Sequence, residues 1–356
     1  MKIRKLNQRG FSHFEAIVLI VVLVVIGSVG TFVYSRMHKS HAGSQEFSIP
    51  DAISSDNLGH IWVANYGDNS VTELNAKDGI LIKVINGASY GINKPNSITT
   101  DNLGHIWVTN AAGNSVTELN AKDGSPVQVI KGASYGFNQP WAITSDNLGH
   151  IWVTNWGGNS VTELNAKDGS RVQNYSGASY GFNQPWAITS DNLGHIWVTN
   201  FGDNSVTELN AKDGSRVQNY SGASYGFNQP HSITSDNLGH IWVANWGGNS
   251  VTELNAKDGS LVQVIKGASY GFSQPSAITT DNLGHIWVTN WSGTSVTELN
   301  AKDGSLVKVY KNASHGFDAP YAITSDNLGH IWVTTYSYNS VTELNAKDGS
   351  LVQIVK

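Results

Sequence analysis

The sequence predicts an all-β fold, a seven-bladed β-propeller of four-stranded antiparallel blades preceded by one N-terminal transmembrane helix. The octapeptide Asp-Asn-Leu-Gly-His-Ile-Trp-Val occurs seven times at intervals of 45 residues, a period typical of one propeller blade. Each interval holds four short runs of β-forming residues separated by turn signals. An uncharged run of 19 residues, 16–34, precedes the repeats and is long enough for a membrane helix.

The N-terminal part of the chain divides into three segments. Residues 1–15 form a basic leader, residues 16–34 would span about 30 Å as a helix, and residues 35–49 have the composition of a linker. More cations precede the apolar run than follow it, which predicts a single-pass cell-membrane protein with a cytoplasmic N-terminus and an extracytoplasmic propeller. A secretory signal cleaved near Ala42 is the alternative.

The leader contains Gly10 and Phe11, followed by Glu15 at the head of the apolar run. This pattern resembles the type IV prepilin signal over about 25 residues. The resemblance implies cleavage after Gly10, methylation of Phe11 and pairing of Glu15 with a neighbouring pilin-like subunit. Pairing would offset the cost of a carboxylate in the membrane, and the alternative is that Glu15 marks the interfacial end of an ordinary anchor.

The predicted propeller occupies residues 50–356, and each unit begins at a proline. These prolines are Pro50, Pro95, Pro140, Pro185, Pro230, Pro275 and Pro320. In the third unit the predicted strands are 141–145, 150–155, 160–164 and 171–175.

The second strand of each unit is apolar on both faces, as expected for a sheet between two others. Its tryptophan is therefore predicted to lie in the core between blades. The repeated histidine recurs once per blade, so a ring of such histidines would be too wide for one metal ion. We interpret the histidines as turn or strand-edge residues and the preceding aspartates as turn caps, and expect no metal and no cofactor.

Composition narrows the classes of partner. Six of the 22 Lys and Arg residues precede residue 40, which leaves 16 against 26 Asp and Glu beyond it. A repeat region with this acidic balance lacks the basic surface that nucleic acid binding requires, so no nucleic acid partner is expected. The chain has no cysteine, which excludes disulfides and thiolate metal sites.

The repeats are nearly identical, so the positions where they differ are informative. One variable position follows each proline: Asp51, Asn96, Trp141, Trp186, His231, Ser276 and Tyr321. The other follows each second strand: Tyr66, Ala111, Trp156, Phe201, Trp246, Trp291 and Tyr336. Antiparallel pairing places the start of strand one beside the end of strand two, so both positions should surround one mouth of the central channel.

Nine of these fourteen residues are Trp, Tyr or Phe. An exposed aromatic patch is typical of a binding site, and Trp and Tyr suit a glycan, a peptide or a small cyclic molecule. The alternative is that the rings pack on neighbouring blades. We predict ligand binding by these positions, Ala111 excepted, and no catalytic residues.

The pattern Asp-x-x-Gly-x-Ile-Trp-Val followed by Asn-Ser-Val-Thr-Glu-Leu resembles NHL-type propellers, especially the virginiamycin B (streptogramin) lyase-like group, over residues 50–356. The resemblance implies the fold and, as an alternative function, a lyase or lactonase at the same mouth. Lyases of that group typically end the strand in Trp-Phe-Thr-Glu, whereas this chain has Trp-Val-Thr-Asn or a close variant. The sequence therefore favours a ligand-binding protein over an enzyme. A pilus-associated adhesive or structural subunit is the third alternative.

Overall fold

A computed structural model describes residues 46–356, apart from residues 57, 147, 192, 237 and 312–314. The leader with its predicted processing residues Gly10, Phe11 and Glu15, and the predicted membrane helix, lie outside the described residues. Within the described part of the chain, no helix has the length and apolar character needed to cross a membrane.

The described residues form seven sheets, each made of four consecutive antiparallel strands. The first strands are β1 Pro50–Ser55, β5 Pro95–Thr100, β9 Pro140–Ser145, β13 Pro185–Ser190, β17 Pro230–Ser235, β21 Pro275–Thr280 and β25 Pro320–Ser325. The second strands are β2 His60–Asn65, β6 His105–Asn110, β10 His150–Asn155, β14 His195–Asn200, β18 His240–Asn245, β22 His285–Asn290 and β26 His330–Thr335. The third strands are β3 Ser70–Asn75, β7 Ser115–Asn120, β11 Ser160–Asn165, β15 Ser205–Asn210, β19 Ser250–Asn255, β23 Ser295–Asn300 and β27 Ser340–Asn345. The fourth strands are β4 Leu81–Ile85, β8 Pro126–Lys131, β12 Arg171–Ser176, β16 Arg216–Tyr220, β20 Leu261–Lys266, β24 Leu306–Lys311 and β28 Leu351–Val355.

Short 3₁₀ turns follow the fourth strand in several blades, at Ala88–Tyr90, Ala133–Tyr135, Ala223–Tyr225 and Ala268–Tyr270. The first strands stand side by side around a common axis, because each contacts the first strand of the blade before and after it. Strand β1 contacts β25, which closes the ring. The predicted seven-bladed propeller is therefore confirmed.

The repeated aspartate organises the loop between the first and second strands. In the third blade, Asp146 Oδ1 accepts hydrogen bonds from the backbone N–H groups of Leu148 at 2.8 Å and His150 at 3.0 Å. Gly149 has φ +107°, a conformation that favours glycine. The aspartate therefore caps the turn, as its position in the sequence predicted.

The second oxygen of the same carboxylate reaches into the core. Asp146 Oδ2 accepts a hydrogen bond from Trp152 Nε1 at 3.0 Å and lies 2.9 Å from His150 Nδ1. The Trp152 ring is fully buried and belongs to the same apolar cluster as Ile188 and Ile196 of the next blade. The tryptophans are therefore inter-blade core, and their indole N–H is paired without water.

The third strand carries a buried glutamate that the sequence analysis did not single out. Glu163 accepts a hydrogen bond from Tyr175 Oη at 2.5 Å, and burial raises the pKa of its carboxyl. In the second blade Gln128 Nε2 makes the equivalent contact with Glu118 at 2.7 Å. These glutamates serve the blade interior, away from the channel mouth.

The seam between the last and first blades uses the same contacts as other blade junctions. Ser55 Oγ donates to the Ser325 carbonyl at 2.8 Å, and Ser190 Oγ donates to the Ser145 carbonyl at 2.9 Å. Phe47, within the predicted linker 35–49, is fully buried in the seam core beside Trp332. The ring therefore closes by packing between whole blades.

Candidate functional site: the aromatic mouth of the channel

The seven residues that follow the prolines line one cavity of about 180 Å³ on the propeller axis. They are Asp51, Asn96, Trp141, Trp186, His231, Ser276 and Tyr321. They converge because the first strand is the innermost strand of every blade and carries this residue near its start. Positions 45 residues apart in the sequence thus become neighbours.

The residues that follow the second strands join the same cluster through ring contacts. Within blades three, four, five and seven, ring centroids lie 4.9–6.1 Å apart in the pairs Trp141–Trp156, Trp186–Phe201, His231–Trp246 and Tyr321–Tyr336. The pairing arises from strand register, because Asn155 at the end of β10 is paired with Pro140 at the start of β9. Trp156 and Trp141 immediately follow Asn155 and Pro140 in the sequence, so they are diagonal neighbours across the two antiparallel strands.

Further ring contacts connect one blade to the next. The centroid of Trp186 lies 4.5 Å from that of Trp141 and 4.9 Å from that of His231. Trp291 lies 6.2 Å from Trp246 and 5.4 Å from Tyr321. Blades three to seven therefore contribute one continuous series of rings, here called the aromatic arc: Trp141, Trp156, Trp186, Phe201, His231, Trp246, Trp291, Tyr321 and Tyr336.

The rings of the aromatic arc are half-buried, except that His231 is only 8% exposed. They differ in this from Trp152 and its six equivalents, which are fully buried. Trp156 Nε1 is enclosed and has no hydrogen-bond acceptor among the described residues. The mouth therefore presents ring surface to solvent, and part of that surface is used in contacts between the rings.

Blades one and two interrupt the arc with smaller or polar residues. Tyr66 follows β2 of the first blade, and Lys94 Nζ lies 4.6 Å from its ring centroid and donates to its carbonyl at 3.2 Å. Asn96 is buried at the cavity wall, and Ala111 takes the place that a ring occupies in the other blades. The mouth is thus aromatic on one side and polar on the other.

Ser276 lies in the cavity wall, but its hydroxyl is used within the protein. Ser276 Oγ donates to the Pro320 carbonyl at 3.0 Å and lies 2.8 Å from Thr289 Oγ1. It is 3% exposed. Ser276 therefore has little exposed surface for a ligand, and its hydroxyl proton is already donated within the protein.

Burial shifts the pKa values of Asp51 and His231, both in the cavity wall, in opposite directions. Burial raises the pKa of the Asp51 carboxyl to about 7. Burial lowers the pKa of His231 to about 4, although the hydrogen bond with the Ser276 carbonyl, 2.6 Å from Nδ1, opposes that shift. At neutral pH His231 is therefore uncharged and Asp51 is about half ionised.

Sequence reasoning missed two features of the mouth. The second residue after each proline, such as Ala52 or Ser97, also lines the cavity. The sequence could have indicated this, because only the small residues Ala and Ser occur at that position in the seven repeats. Lys94 was missed because only pairing with Tyr66 in space reveals its role. Among the described residues no group of three His, Asp or Glu side chains is arranged to hold a metal ion.

Comparison with known proteins supports the fold. The NHL repeat family matches residues 182–209 and 227–253. A streptogramin B lyase structure is similar with a TM-score of 0.71 and 23% identity, covering 84% of this chain and 93% of that one. A catalytically inactive virginiamycin B lyase from Staphylococcus aureus with quinupristin has a TM-score of 0.71 and 20% identity, covering 85% and 96%.

Similarity in fold extends beyond lyases. Kuenenia stuttgartiensis hydrazine synthase has a TM-score of 0.69 and 15% identity, covering 87% of this chain and 99% of that one. No curated protein matches the chain significantly in sequence. The chain thus contains NHL repeats and has the seven-bladed propeller fold seen in the streptogramin B lyases.

Proposed function

We propose that this propeller binds an amphipathic ligand, a glycan, a peptide or a small cyclic molecule, across the aromatic mouth of its channel. The continuous aromatic arc supports this proposal, because half-buried rings offer apolar faces together with indole N–H and phenol O–H groups. The cavity of about 180 Å³ is too small for a whole ligand of this kind. The ligand would therefore lie over the arc and place one group in the cavity.

The experiment is a screen of the full-length chain against glycan and peptide arrays, with each hit measured by tryptophan fluorescence. We expect hits to shift or quench the emission of the native protein. The triple variant Trp156→Ala, Trp246→Ala, Trp291→Ala should lose the hits. Retention of every hit by a folded triple variant would refute binding at the arc.

A streptogramin lyase-like or lactonase-like activity is the second candidate. The observation in its favour is the similarity in fold to a virginiamycin B lyase that was crystallised with quinupristin. Incubation of the full-length chain with quinupristin or with simple lactones, with and without Mg²⁺, and mass analysis of the products would test it. Metal-dependent turnover would favour the enzyme, whereas saturable binding of an intact ligand would favour the first candidate.

We further propose that residues 16–34 anchor the propeller in the cell membrane, on its outer side. The uncharged run and the basic leader support this proposal. Mass analysis of the mature chain tests the related processing and pilus proposals. A mature chain that begins at methylated Phe11 would support a pilin-like partner, and an intact Met1 terminus would remove that alternative.

A further inference from the structure

The polar side of the mouth contains an acid that no other described group neutralises. Asp51 is the only carboxyl among the seven cavity-lining residues that follow the prolines. Among the described residues, none forms a hydrogen bond or ion pair with its carboxyl, and Lys94, which lies over the Tyr66 ring, donates to the Tyr66 carbonyl. A half-buried carboxyl without a partner is costly to the fold, so a function at this position is a reasonable expectation.

Tyrosines surround this acid. Tyr321 occupies the equivalent position on β25, the strand that packs against β1 at the seam, and both residues line the cavity. The ring of Tyr336 lies 6.1 Å from that of Tyr321, centroid to centroid. Burial raises the pKa values of both tyrosines, the negative charge of Asp51 adds to both shifts, and Tyr66 adds to that of Tyr336. Asp51 therefore lies at a corner framed by Tyr66, Tyr321 and Tyr336.

We propose that this corner binds an organic ammonium group of the ligand, with the Asp51 carboxylate as its counter-ion and the tyrosine rings against its alkyl substituents. The inference rests on the proposed binding function and specifies the ligand class. Aromatic rings attract alkylammonium ions through their π-electrons, and a carboxylate adds a direct ion pair. Tyr66 already holds one ammonium in this way, that of Lys94.

The size and chemistry of the corner favour an organic cation over a metal ion. Ca²⁺ takes about 6–8 oxygen ligands, whereas the cavity supplies one carboxylate. The cavity of about 180 Å³ corresponds to about six water molecules at about 30 Å³ each, which is enough for an ammonium head group. His231 is neutral at pH 7 and does not repel a cation, and since its Nδ1–H is donated to the Ser276 carbonyl, Nε2 is the acceptor nitrogen.

The proposal predicts a specific dependence on pH. The titratable groups around Asp51 are Tyr321 and Tyr336, followed by Tyr66 beside Tyr336, Lys94 over the Tyr66 ring and, in the cavity wall, His231. Asp51, with a pKa of about 7, changes charge between pH 6 and 8, whereas His231, with a pKa of about 4, stays neutral over this range. A cation binds the ionised carboxyl, so its affinity should fall about tenfold from pH 8 to pH 6 as Asp51 takes up a proton.

The test compares choline with its neutral isostere 3,3-dimethyl-1-butanol on the full-length chain, by calorimetry or tryptophan fluorescence. We expect choline to bind at least about tenfold more tightly at pH 8. The variant Asp51→Asn should remove both this preference and the pH dependence. The control Asp78→Asn, at an exposed turn between the third and fourth strands, should keep both.

Each outcome has a defined meaning. Equal binding of both compounds, or an unchanged preference in Asp51→Asn, would overturn the ammonium inference and leave the proposed aromatic site standing. Absence of choline binding at tens of millimolar would also overturn it. The glycan and peptide array screen would still test the proposed binding function independently. Displacement of choline by Mg²⁺ or Ca²⁺ at millimolar concentration would overturn the inference, because the site would then bind a metal ion in preference to an organic cation.

Discussion

The indole ring of Trp186 lies 4.5 Å from that of Trp141, centroid to centroid, although the two residues are 45 positions apart in the sequence and belong to different, adjacent blades. Both follow the first proline of their blade and both line the cavity. This contact is the tightest link in the aromatic arc. It shows that the divergent positions of the repeats meet as one surface, which is why we place the function there.

Removing arc residues should affect binding far more than stability. The triple variant Trp156→Ala, Trp246→Ala, Trp291→Ala removes half-buried rings, so its free energy of unfolding should fall by about 1 kcal/mol for each ring removed. Trp197→Ala empties a fully buried inter-blade site and should cost about 3–5 kcal/mol. Urea denaturation followed by circular dichroism measures both. If each arc tryptophan contributed as much to the free energy of unfolding as Trp197 does, the arc would be structural packing.

The repeated aspartate between the first and second strands should stabilise each blade, because both of its carboxylate oxygens accept hydrogen bonds. Asp146→Ala leaves the buried Trp152 Nε1–H without its acceptor and also removes the turn cap, so we expect a loss of about 3 kcal/mol. Asp168→Ala, in an exposed turn where the carboxylate accepts from Ser170, should cost much less, because water replaces the lost acceptor. Denaturant midpoints of the two variants give the comparison. A similar loss in both would contradict the role assigned to Asp146.

The seam should be as strong as any other junction of the ring. Phe47 and Phe317 are both fully buried, and their equivalent positions precede the prolines of the first and last blades. Replacing either with Ala should lower the free energy of unfolding by about 3–5 kcal/mol. Leu58→Ala, at a residue 58% exposed, should change it by less than about 0.5 kcal/mol. A negligible effect of Phe47→Ala would show that residues before Pro50 do not stabilise the ring.

Asp51 should make the native protein less stable as pH rises. Its pKa is about 7 in the folded state against an ordinary value of 3.8, so the folded state holds the proton more tightly. The contribution of the Asp51 carboxyl to the free energy of unfolding is fully present below pH 3.8 and is lost as the pH rises through about 7. Thermal melts of the wild type and Asp51→Asn between pH 4 and 8 should therefore show the wild type losing stability relative to the variant. An unchanged difference across this range would refute the shift.

His231 should act in the opposite sense. The pKa of His231 is about 4 in the folded state, whereas the ordinary value for histidine is 6.5, so the folded state favours the neutral ring. The contribution is fully present above pH 6.5 and is lost as pH falls towards about 4. His231→Gln should therefore reduce the loss of stability between pH 6.5 and 4. Nuclear magnetic resonance titration of the ring measures the pKa directly, and an ordinary value would contradict burial as its cause.

Much of the site could be predicted because antiparallel pairing is a local rule. The pairing of Asn155 with Pro140 brings Trp156 beside Trp141 within one blade, and the exact repetition extends the relationship around the ring. The same rule could not show that the Ser276 hydroxyl is occupied by the Pro320 carbonyl, or that Lys94 covers Tyr66. Those contacts join different blades and depend on how the ring closes.

The sequence by itself determined the number of blades, the four strands of each, the buried tryptophans and the two variable positions that share a face. It did so because the 45-residue period repeats one local pattern of strands and turns. Only the tertiary structure decided which rings touch, that Phe47 belongs to the seam core, and that none of the described residues pairs with the Asp51 carboxyl. The reason is that side-chain contacts between blades depend on ring closure and on side-chain conformations, which no period in the sequence specifies.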